Sequence, residues 1–258
     1  MFFKQPITVL SALATVTLGT LAMAPSASAF IVSSNESKIT IGANDVNQVF
    51  DIFFDGNVDT KDVGGLSSQA TFKFLGFTTV GTGANTRTEA KFDIKLFNTS
   101  SGGITSRTSA LGFDTNIDLV GVGNTNGLGN TRVLSGGLFS NDRSGSFPNQ
   151  FGGVDVCFTN GNTCQGGSNG GVTTGNNGSF TAILAFNGIV NSLDLDNFGV
   201  RYQSIDGINN GVTFRGASGT GKGKVRRRVP EPTTSAAIGF VAISAFGLRK
   251  KSRPISQT

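Results

Sequence analysis

Short runs in which apolar and polar residues alternate recur through residues 30–215, and clusters of Gly, Asn and Ser separate them. In the clearest run, Phe92, Ile94 and Leu96 alternate with charged residues, a period of two that places all three on one face of a strand. No stretch of this region has a sustained helical period, so successive strands are expected to pair antiparallel. The predicted strands are 38–41, 49–54, 70–77, 91–96, 113–119, 154–158, 180–186 and 198–202.

This pattern predicts an all-β fold, and an antiparallel β-sandwich or jelly-roll is the natural way to bury one face of each sheet. The composition agrees, because the chain has 22 Phe and 37 Gly among 258 residues. Phe is common in strands, and Gly is common in turns. Disorder of the whole region is the alternative, but Phe and β-branched residues recur where a core requires them.

The basic charge of the chain is concentrated at its two ends. The formal net charge is +5, yet 13 Lys and Arg face 15 Asp and Glu between residues 30 and 225. The excess cations lie at Lys4, 226–228 and 249–253. The sequence therefore indicates no basic face with interleaved aromatic residues, and nucleic acid is not an expected partner.

Residues 1–29 have the three parts of a secretory signal peptide. Lys4 supplies a positive charge, residues 7–23 are small or apolar, and Ala27-Ser28-Ala29 is a small-x-small cleavage site. Signal peptidase is therefore expected to cut after Ala29. The alternative is a buried or permanently anchored helix, which fits the cleavage site and the polar sequence after it less well.

The chain has two cysteines, Cys157 and Cys164. Asn160-Gly161 lies between them and favours a tight hairpin turn, which would bring the two thiols face to face. We expect a structural disulfide across this turn, formed in an oxidising compartment. A zinc site is the alternative, but two thiolates without His or further Cys cannot complete the metal's coordination shell.

The C-terminal segment, 229–258, consists of three parts. Pro230-Glu231-Pro232 is rigid and extended, residues 235–248 are small or apolar and are expected to be helical, and a basic cluster follows at 249–253. The basic end is expected to stay in the cytoplasm. A Gly/Lys/Arg segment, 216–228, precedes the three parts and is predicted to be a flexible linker.

This order of motif, apolar segment and basic tail resembles the PEP-CTERM sorting signal of bacterial exported proteins. The resemblance implies an exosortase-type membrane protease that cuts near Pro230, Glu231 and Pro232 and removes the apolar tail. Two features depart from a stable anchor: the apolar run has only 14 residues, fewer than the ~20 that span a bilayer, and residues 226–228 place positive charge on the outer side. Both indicate a temporary stay in the membrane, and a simple C-terminal anchor or a frayed helix is the alternative.

Four short parts of the chain are similar to the cistern family of cyanobacterial PEP-CTERM proteins. They are Leu96–Ser100, Gly112–Asp114, the Cys157 and Cys164 pair with the Gly-rich run after it, and Asn197–Ser204. The likeness implies an exported cyanobacterial protein and no particular activity.

The chain has no His, so the commonest general base is missing and a Ser/His/Asp or Cys/His arrangement is impossible. A carboxylate pair of the glycosidase type is the remaining catalytic hypothesis, with Glu36 and Glu89 as its candidates. The chain also has no Trp to stack on a sugar. The sequence therefore predicts that the protein is not an enzyme.

Two Asp-x-Asn-x-Asp runs, at 55–59 and 114–118, have the spacing of a calcium loop. Neither has the Gly at the sixth position or the carboxylate at the twelfth that an EF-hand requires. The first is otherwise a polar turn and the second the solvated face of a strand, so no cofactor is expected. The remaining hypothesis is calcium held between loops by Asp55, Asn57, Asp59 and Asp62.

These observations give three functional hypotheses. The first is an exported structural or interaction protein of the cell surface or extracellular matrix, with a non-catalytic β domain at 30–215. The second is a calcium-assisted polysaccharide-binding module, and the third is an enzyme that uses carboxylates alone. The expected partners are signal peptidase, the exosortase-type protease and, transiently through residues 235–248, the membrane.

Overall fold

The computed structural model describes residues 30–123, 127–166 and 170–227. The predicted signal peptide, the PEP motif and the predicted apolar helix at 235–248 lie outside these residues. The described part is all-β, as predicted, with two single-turn 3-10 helices at Ala43–Asp45 and Gly83–Asn85. No helix within it is long and apolar enough to cross a membrane.

The described part of the chain contains fifteen strands, and each predicted strand overlaps one of them. In chain order they are β1 (Ile31–Val32), β2 (Ile39–Gly42), β3 (Val49–Phe54), β4 (Asn57–Val58), β5 (Lys61–Asp62), β6 (Ser68–Val80), β7 (Arg87–Asn98), β8 (Thr105–Thr115), β9 (Arg132–Val133), β10 (Asn141–Phe147), β11 (Gly152–Thr159), β12 (Val172–Thr173), β13 (Asn177–Asn187), β14 (Ser192–Asn209) and β15 (Val212–Arg227).

The strands pair antiparallel in one extended sheet with the order β10-β11-β8-β14-β15-β3-β6-β7-β13-β9. The two longest strands, β14 and β15, form a hairpin at the middle of this order. Their connection is Asn210-Gly211, with φ of 48° and 78°, the positive values that a two-residue type I′ turn requires. Asn-Gly is a sequence signal for a hairpin turn, although a turn at this position was not among the predictions.

The linker predicted over 216–228 is wrong for most of its length. Residues 212–222 pair with β14, and Gly223–Arg227 pair with β3. The composition suggested flexibility, but the glycines are there for close packing: a Cβ on Gly223 would lie 2.6 Å from Cγ2 of Ile52 and 2.7 Å from Cβ of Phe198. β15 thus belongs to the folded domain and connects the two halves of the sheet.

The inner face of the sheet is lined with Phe. Phe72 of β6 lies 5.0 Å from Phe50, 6.0 Å from Phe113 and 5.9 Å from Phe198, measured between ring centroids. Because β6 and β8 are far apart in the strand order, these contacts mean that the sheet folds over on itself to form a nearly closed structure. The predicted inward set Phe92, Ile94 and Leu96 is confirmed, since all three side chains are buried.

The predicted strand 113–119 is correct only in its first half. β8 ends at Thr115, where the Thr115 hydroxyl donates a hydrogen bond to the Ile117 carbonyl. Ile117 and Leu119 still pack against the core from the loop that follows. The alternation of residues is the same in both halves, so periodicity alone could not show where pairing stops.

Candidate functional site

The predicted processing residues, Ala29 and Pro230-Glu231-Pro232, lie outside the described residues. β15 ends at Arg227, three residues before Pro230. The predicted cut would therefore fall close to the folded sheet, with no long spacer between them.

Cys157 and Cys164 form a disulfide, as predicted, with their Cα atoms 5.8 Å apart. Both are buried in a small apolar cluster on the outer side of β8 and β11, separate from the main core. The ring centroids of Phe147 and Phe151 lie 5.3 Å apart within this cluster. The disulfide therefore ties the loop after β11 onto a second, smaller core.

The predicted hairpin between the cysteines is not formed. Cys157 lies in β11, but Cys164 lies in the following loop, and neither Asn160 nor Gly161 has a positive φ. The side-chain nitrogen of Asn160 instead donates to the Leu138 carbonyl, and its side-chain oxygen accepts from the backbone amide of Ser140. Tertiary hydrogen bonds to a neighbouring loop have replaced the local turn.

Two of the four calcium candidates accept hydrogen bonds from the backbone, and Asn57 lies directly opposite Asp62 in the β4–β5 pair. The Asp55 carboxylate accepts a 2.7 Å hydrogen bond from the Lys222 amide, and Asn57 Oδ1 accepts one from the Thr60 amide. Asp59 lies in the tight β4–β5 turn with φ of 47°, and Asp62 is exposed on β5. Across the described ranges, no group of three or more acidic or Cys side chains is placed to hold a metal ion.

A different acidic surface emerges where β14 lies between β8 and β2. Asp196 and Asp114 are direct cross-strand partners, and Asp194 lies two residues before Asp196 on the same face. The Asp114 carboxylate accepts hydrogen bonds from the Asp155 amide and the Asn197 side chain. We call these four residues, Asp114, Asp155, Asp194 and Asp196, the acidic patch.

Two carboxyls of the acidic patch have opposite pKa shifts. Partial burial, followed by repulsion from Asp114, raises the pKa of Asp196. Burial alone would also raise the pKa of Asp194, but hydrogen bonds from Thr40 and Lys38 and the charge of Lys38, 3.0 Å away, outweigh it and lower that pKa. Within the acidic patch, Asp114 accepts a backbone hydrogen bond and Asp194 is paired with Lys38, whereas the negative charge of Asp196 is poorly compensated.

The two glutamates of the catalytic hypothesis both make hydrogen bonds that hold parts of the fold together. The Glu89 carboxylate is buried and accepts hydrogen bonds from both terminal nitrogens of Arg132, at 2.8 and 3.2 Å, and from the Gly129 amide. Glu36 lies in the β1–β2 turn, where its carbonyl accepts a hydrogen bond from Val225. Glu89 is therefore fully engaged in holding the 129–132 segment against β7.

The outer face of β15, β3, β6 and β7 carries an excess of positive charge. Arg226, Asp51, Thr71 and Lys95 are successive cross-strand partners in one row. The next row is Lys224, Phe53, Gln69, Phe97 and Asn177, and Lys73 and Asp93 pair in a third. We call the surface formed by Phe53, Lys73, Lys95, Phe97, Lys224 and Arg226 the basic face.

The basic face is not evident from the order of charges along the chain. In the sequence, the cations of the basic face lie on three separate strands. A count of net charge balances them against acids elsewhere in the chain. The outward positions on each strand could have been read from the period of two, but only pairing places β15 next to β3. The expectation that no basic face with interleaved aromatic residues exists is therefore wrong.

Comparison of the chain with models of known protein families, with curated proteins and with solved structures finds no match.

Proposed function

We propose that this protein is an exported, non-catalytic β protein of the cell surface or extracellular matrix. In this proposal residues 1–29 are a signal peptide, and residues 229–258 are a sorting signal of the PEP-CTERM type. An exosortase-type protease cuts near Pro230-Glu231-Pro232, and the membrane holds residues 235–248 only until then.

The observation that carries the proposal is the buried Cys157–Cys164 disulfide. Disulfides form and persist in oxidising compartments and are rare in the reducing cytoplasm. The disulfide is buried in a cluster of apolar residues and is part of the fold, and the chain has no further cysteine with which it could exchange. This use of cysteine supports export independently of the two terminal segments.

A two-layered β-sandwich or jelly-roll is the finer architecture that we propose for this domain. Its support is the contact between strands that do not pair with each other. Phe158 of β11 lies 5.2 Å from Phe180 of β13, although these strands lie near opposite ends of the strand order. Two facing layers with interdigitated side chains would produce such contacts.

The alternative function, a calcium-assisted polysaccharide-binding module, has less support from the contacts of its four candidate residues. Asp55 and Asn57 accept hydrogen bonds from backbone amides, and within the described residues Asp55, Asp59 and Asp62 do not form a group of three carboxylates placed to hold a metal ion. An enzyme based on Glu89 is also disfavoured, because Arg132 neutralises that carboxylate. Polysaccharide binding without calcium remains compatible with an exported, non-catalytic domain.

The test is the intact mass of the protein recovered separately from the membranes and the medium of its native host. We expect a chain that begins at Phe30 and ends near residues 230–232, at the surface or in the medium. A chain that retains residues 233–258 in the membrane fraction would overturn the processing step and identify a C-terminally anchored protein.

A pair of variants makes this test specific to the motif. Glu231→Ala should leave the tail uncut and keep the protein in the membrane fraction. Asp118→Asn, which removes an exposed carboxylate of the β domain, should be processed like the parent chain. Equal processing of both variants would show that the motif is not the recognition element.

A further inference from the structure

We propose that the basic face binds an acidic polysaccharide, a polymer of sugars that carries carboxylate groups. This proposal deepens the proposed function and rests on it in one respect, because export determines which polyanions the protein meets.

The basic face has the dimensions of a polymer-binding surface. The row Lys224, Phe53, Gln69, Phe97 and Asn177 crosses five adjacent strands. With neighbouring strands about 4.8 Å apart, the row extends over roughly 19 Å. This length matches several consecutive sugar units better than a single small ligand.

Two cations of the basic face are held by the two aromatic rings of this row. The Arg226 guanidinium lies 5.6 Å from the centroid of Phe53, and Lys95 Nζ lies 4.7 Å from that of Phe97. Phe53 is 43% exposed, unlike the fully buried phenylalanines of the core. The rings thus fix two positive charges on a surface where long side chains would otherwise be mobile.

The charge of the basic face is not neutralised within the described residues. Lys73, Lys95, Lys224 and Arg226 form no salt bridge there, where the ion pairs are Lys38–Asp194 and Arg132–Glu89.

Both carboxylates among the basic residues are engaged with threonines. Thr71 donates to Asp51 at 2.6 Å, and Thr181 donates to Asp93 at 2.7 Å. Four cations against two carboxylates leave the surface positive, which complements a polyanion.

A depression of mixed polar and apolar character continues the surface at β13. Its lining includes Asp93, Ser135, Ser179, Thr181 and two glycines, together with the apolar residues Leu134 and Phe180. Ser179 is the cross-strand partner of Lys95, so the depression adjoins the charged rows directly. Hydroxyls and backbone groups of this kind donate to and accept from sugar hydroxyls.

The same geometry argues against two other polyanions. Binding of single-stranded nucleic acid depends on bases that stack on open aromatic faces, whereas Phe53 and Phe97 each already have a cation over the ring. Anionic membranes are usually bound through apolar side chains that insert beside the basic ones. The residues that separate the rings and charges here are polar and do not insert into a membrane in this way. They are Gln69, Thr71 and Asn177.

The experiment measures binding of the purified full chain to polygalacturonate and to its methyl ester, the same polymer without the charge. We expect the chain to bind polygalacturonate, with an affinity that falls as salt is raised, and not to bind the ester. Lys95→Gln combined with Arg226→Gln should weaken binding roughly five- to tenfold. Lys61→Gln combined with Arg215→Gln, which removes two exposed cations elsewhere, should change it little.

Each other outcome counts against the proposal. Equal weakening by both double variants would mean that binding follows net charge and has no site. Tighter binding to single-stranded DNA or to anionic vesicles would assign the face to those partners. Salt-sensitive self-association without polymer binding would indicate that the basic face meets the acidic patch of a second copy.

The binding assay and the processing assay can fail separately. Thermal unfolding of both double variants should match the parent chain, which excludes misfolding as the cause of lost binding. If the tail proves to be uncut while polygalacturonate binding persists, the processing step of the proposed function fails and the ligand assignment stands. The reverse result would leave an exported protein whose ligand is not an acidic polysaccharide.

Discussion

Tyr202 is the single tyrosine of the chain, and its ring is fully buried between the two halves of the sheet. Its hydroxyl donates a 3.0 Å hydrogen bond to the Asp55 carbonyl, next to the point where β15 passes from β14 to β3. A buried phenol is stable only when its donor is satisfied. A packing of the core that left the Tyr202 hydroxyl without an acceptor would be less stable, so this one polar group helps to select the observed packing.

Burial raises the pKa of Tyr202 far above its ordinary value of 10.0. In the folded state the phenol stays protonated, so stability is unaffected below pH ~10 and falls above it, where the unfolded chain releases the proton. We therefore expect phenolate absorbance to appear only together with alkaline unfolding. Titration of the absorbance while circular dichroism is followed tests this, and ionisation of a still-folded chain would contradict it.

Asp196 and Asp194 should respond oppositely to neutralisation. The raised pKa of Asp196 means that its charge destabilises the fold once pH rises above its unfolded value, whereas the lowered pKa of Asp194 means that its charge stabilises the fold there. At pH 7, Asp196→Asn should add about 0.5 kcal/mol to the free energy of unfolding, and Asp194→Asn should remove about as much. The Asp196 difference should shrink as pH falls towards 3.8, whereas the Asp194 difference should persist to about that pH and be lost below it. Urea denaturation at several pH values measures both.

β15 shows how much an element can depend on its neighbours. Its 16 residues include four Gly and five Lys or Arg, a composition that suggests a linker. It is nevertheless a strand of 16 residues, because β14 and β3 satisfy its backbone hydrogen bonds. Its inward glycines allow the facing side chains of the core to approach closely.

Gly223→Ala should lower the free energy of unfolding by about 2 kcal/mol, since the added methyl overlaps Ile52 and Phe198. Ser218→Ala, at an exposed position of the same strand, should be nearly neutral. Chemical denaturation of both variants distinguishes the two descriptions of this segment. A flexible linker would tolerate both changes equally, so equal stabilities would contradict the strand.

A connected network of Phe rings runs through the main core of the described residues. Phe72 contacts rings from β3, β7, β8 and β14, and thus joins elements from both halves of the sheet. The charges are distributed unevenly around this core, with the acidic patch over β8 and β14 and the basic face over β3, β6 and β7. A chain that is nearly neutral between its ends therefore has two surfaces of opposite sign.

Phe72→Ala should cost roughly 3–5 kcal/mol, because it leaves a cavity at the centre of this network. Phe53→Ala removes the same atoms from a ring that is 43% exposed and should cost less than about 1.5 kcal/mol. The midpoints of denaturant unfolding compare the two. Similar losses would mean that Phe72 is not the point at which the halves of the sheet meet.

The sequence alone was sufficient for the all-β class, the cores of the strands and the disulfide. These depend on local period, on turn residues and on a pair of cysteines seven positions apart. Strands such as β3 and β7 could be read directly, because alternation along a strand reports which side chains are buried, whatever the partner strand is.

Only the tertiary structure decided that 216–227 is a strand, that Asn160-Gly161 is not a hairpin turn and that the Asp55 carboxylate accepts from the Lys222 amide of β15. In each case, contacts with residues distant in sequence outweigh a local preference. The basic face arose in the same way. Its charges come from β15, β6 and β7, and pairing within the sheet brings them together across more than a hundred residues of chain.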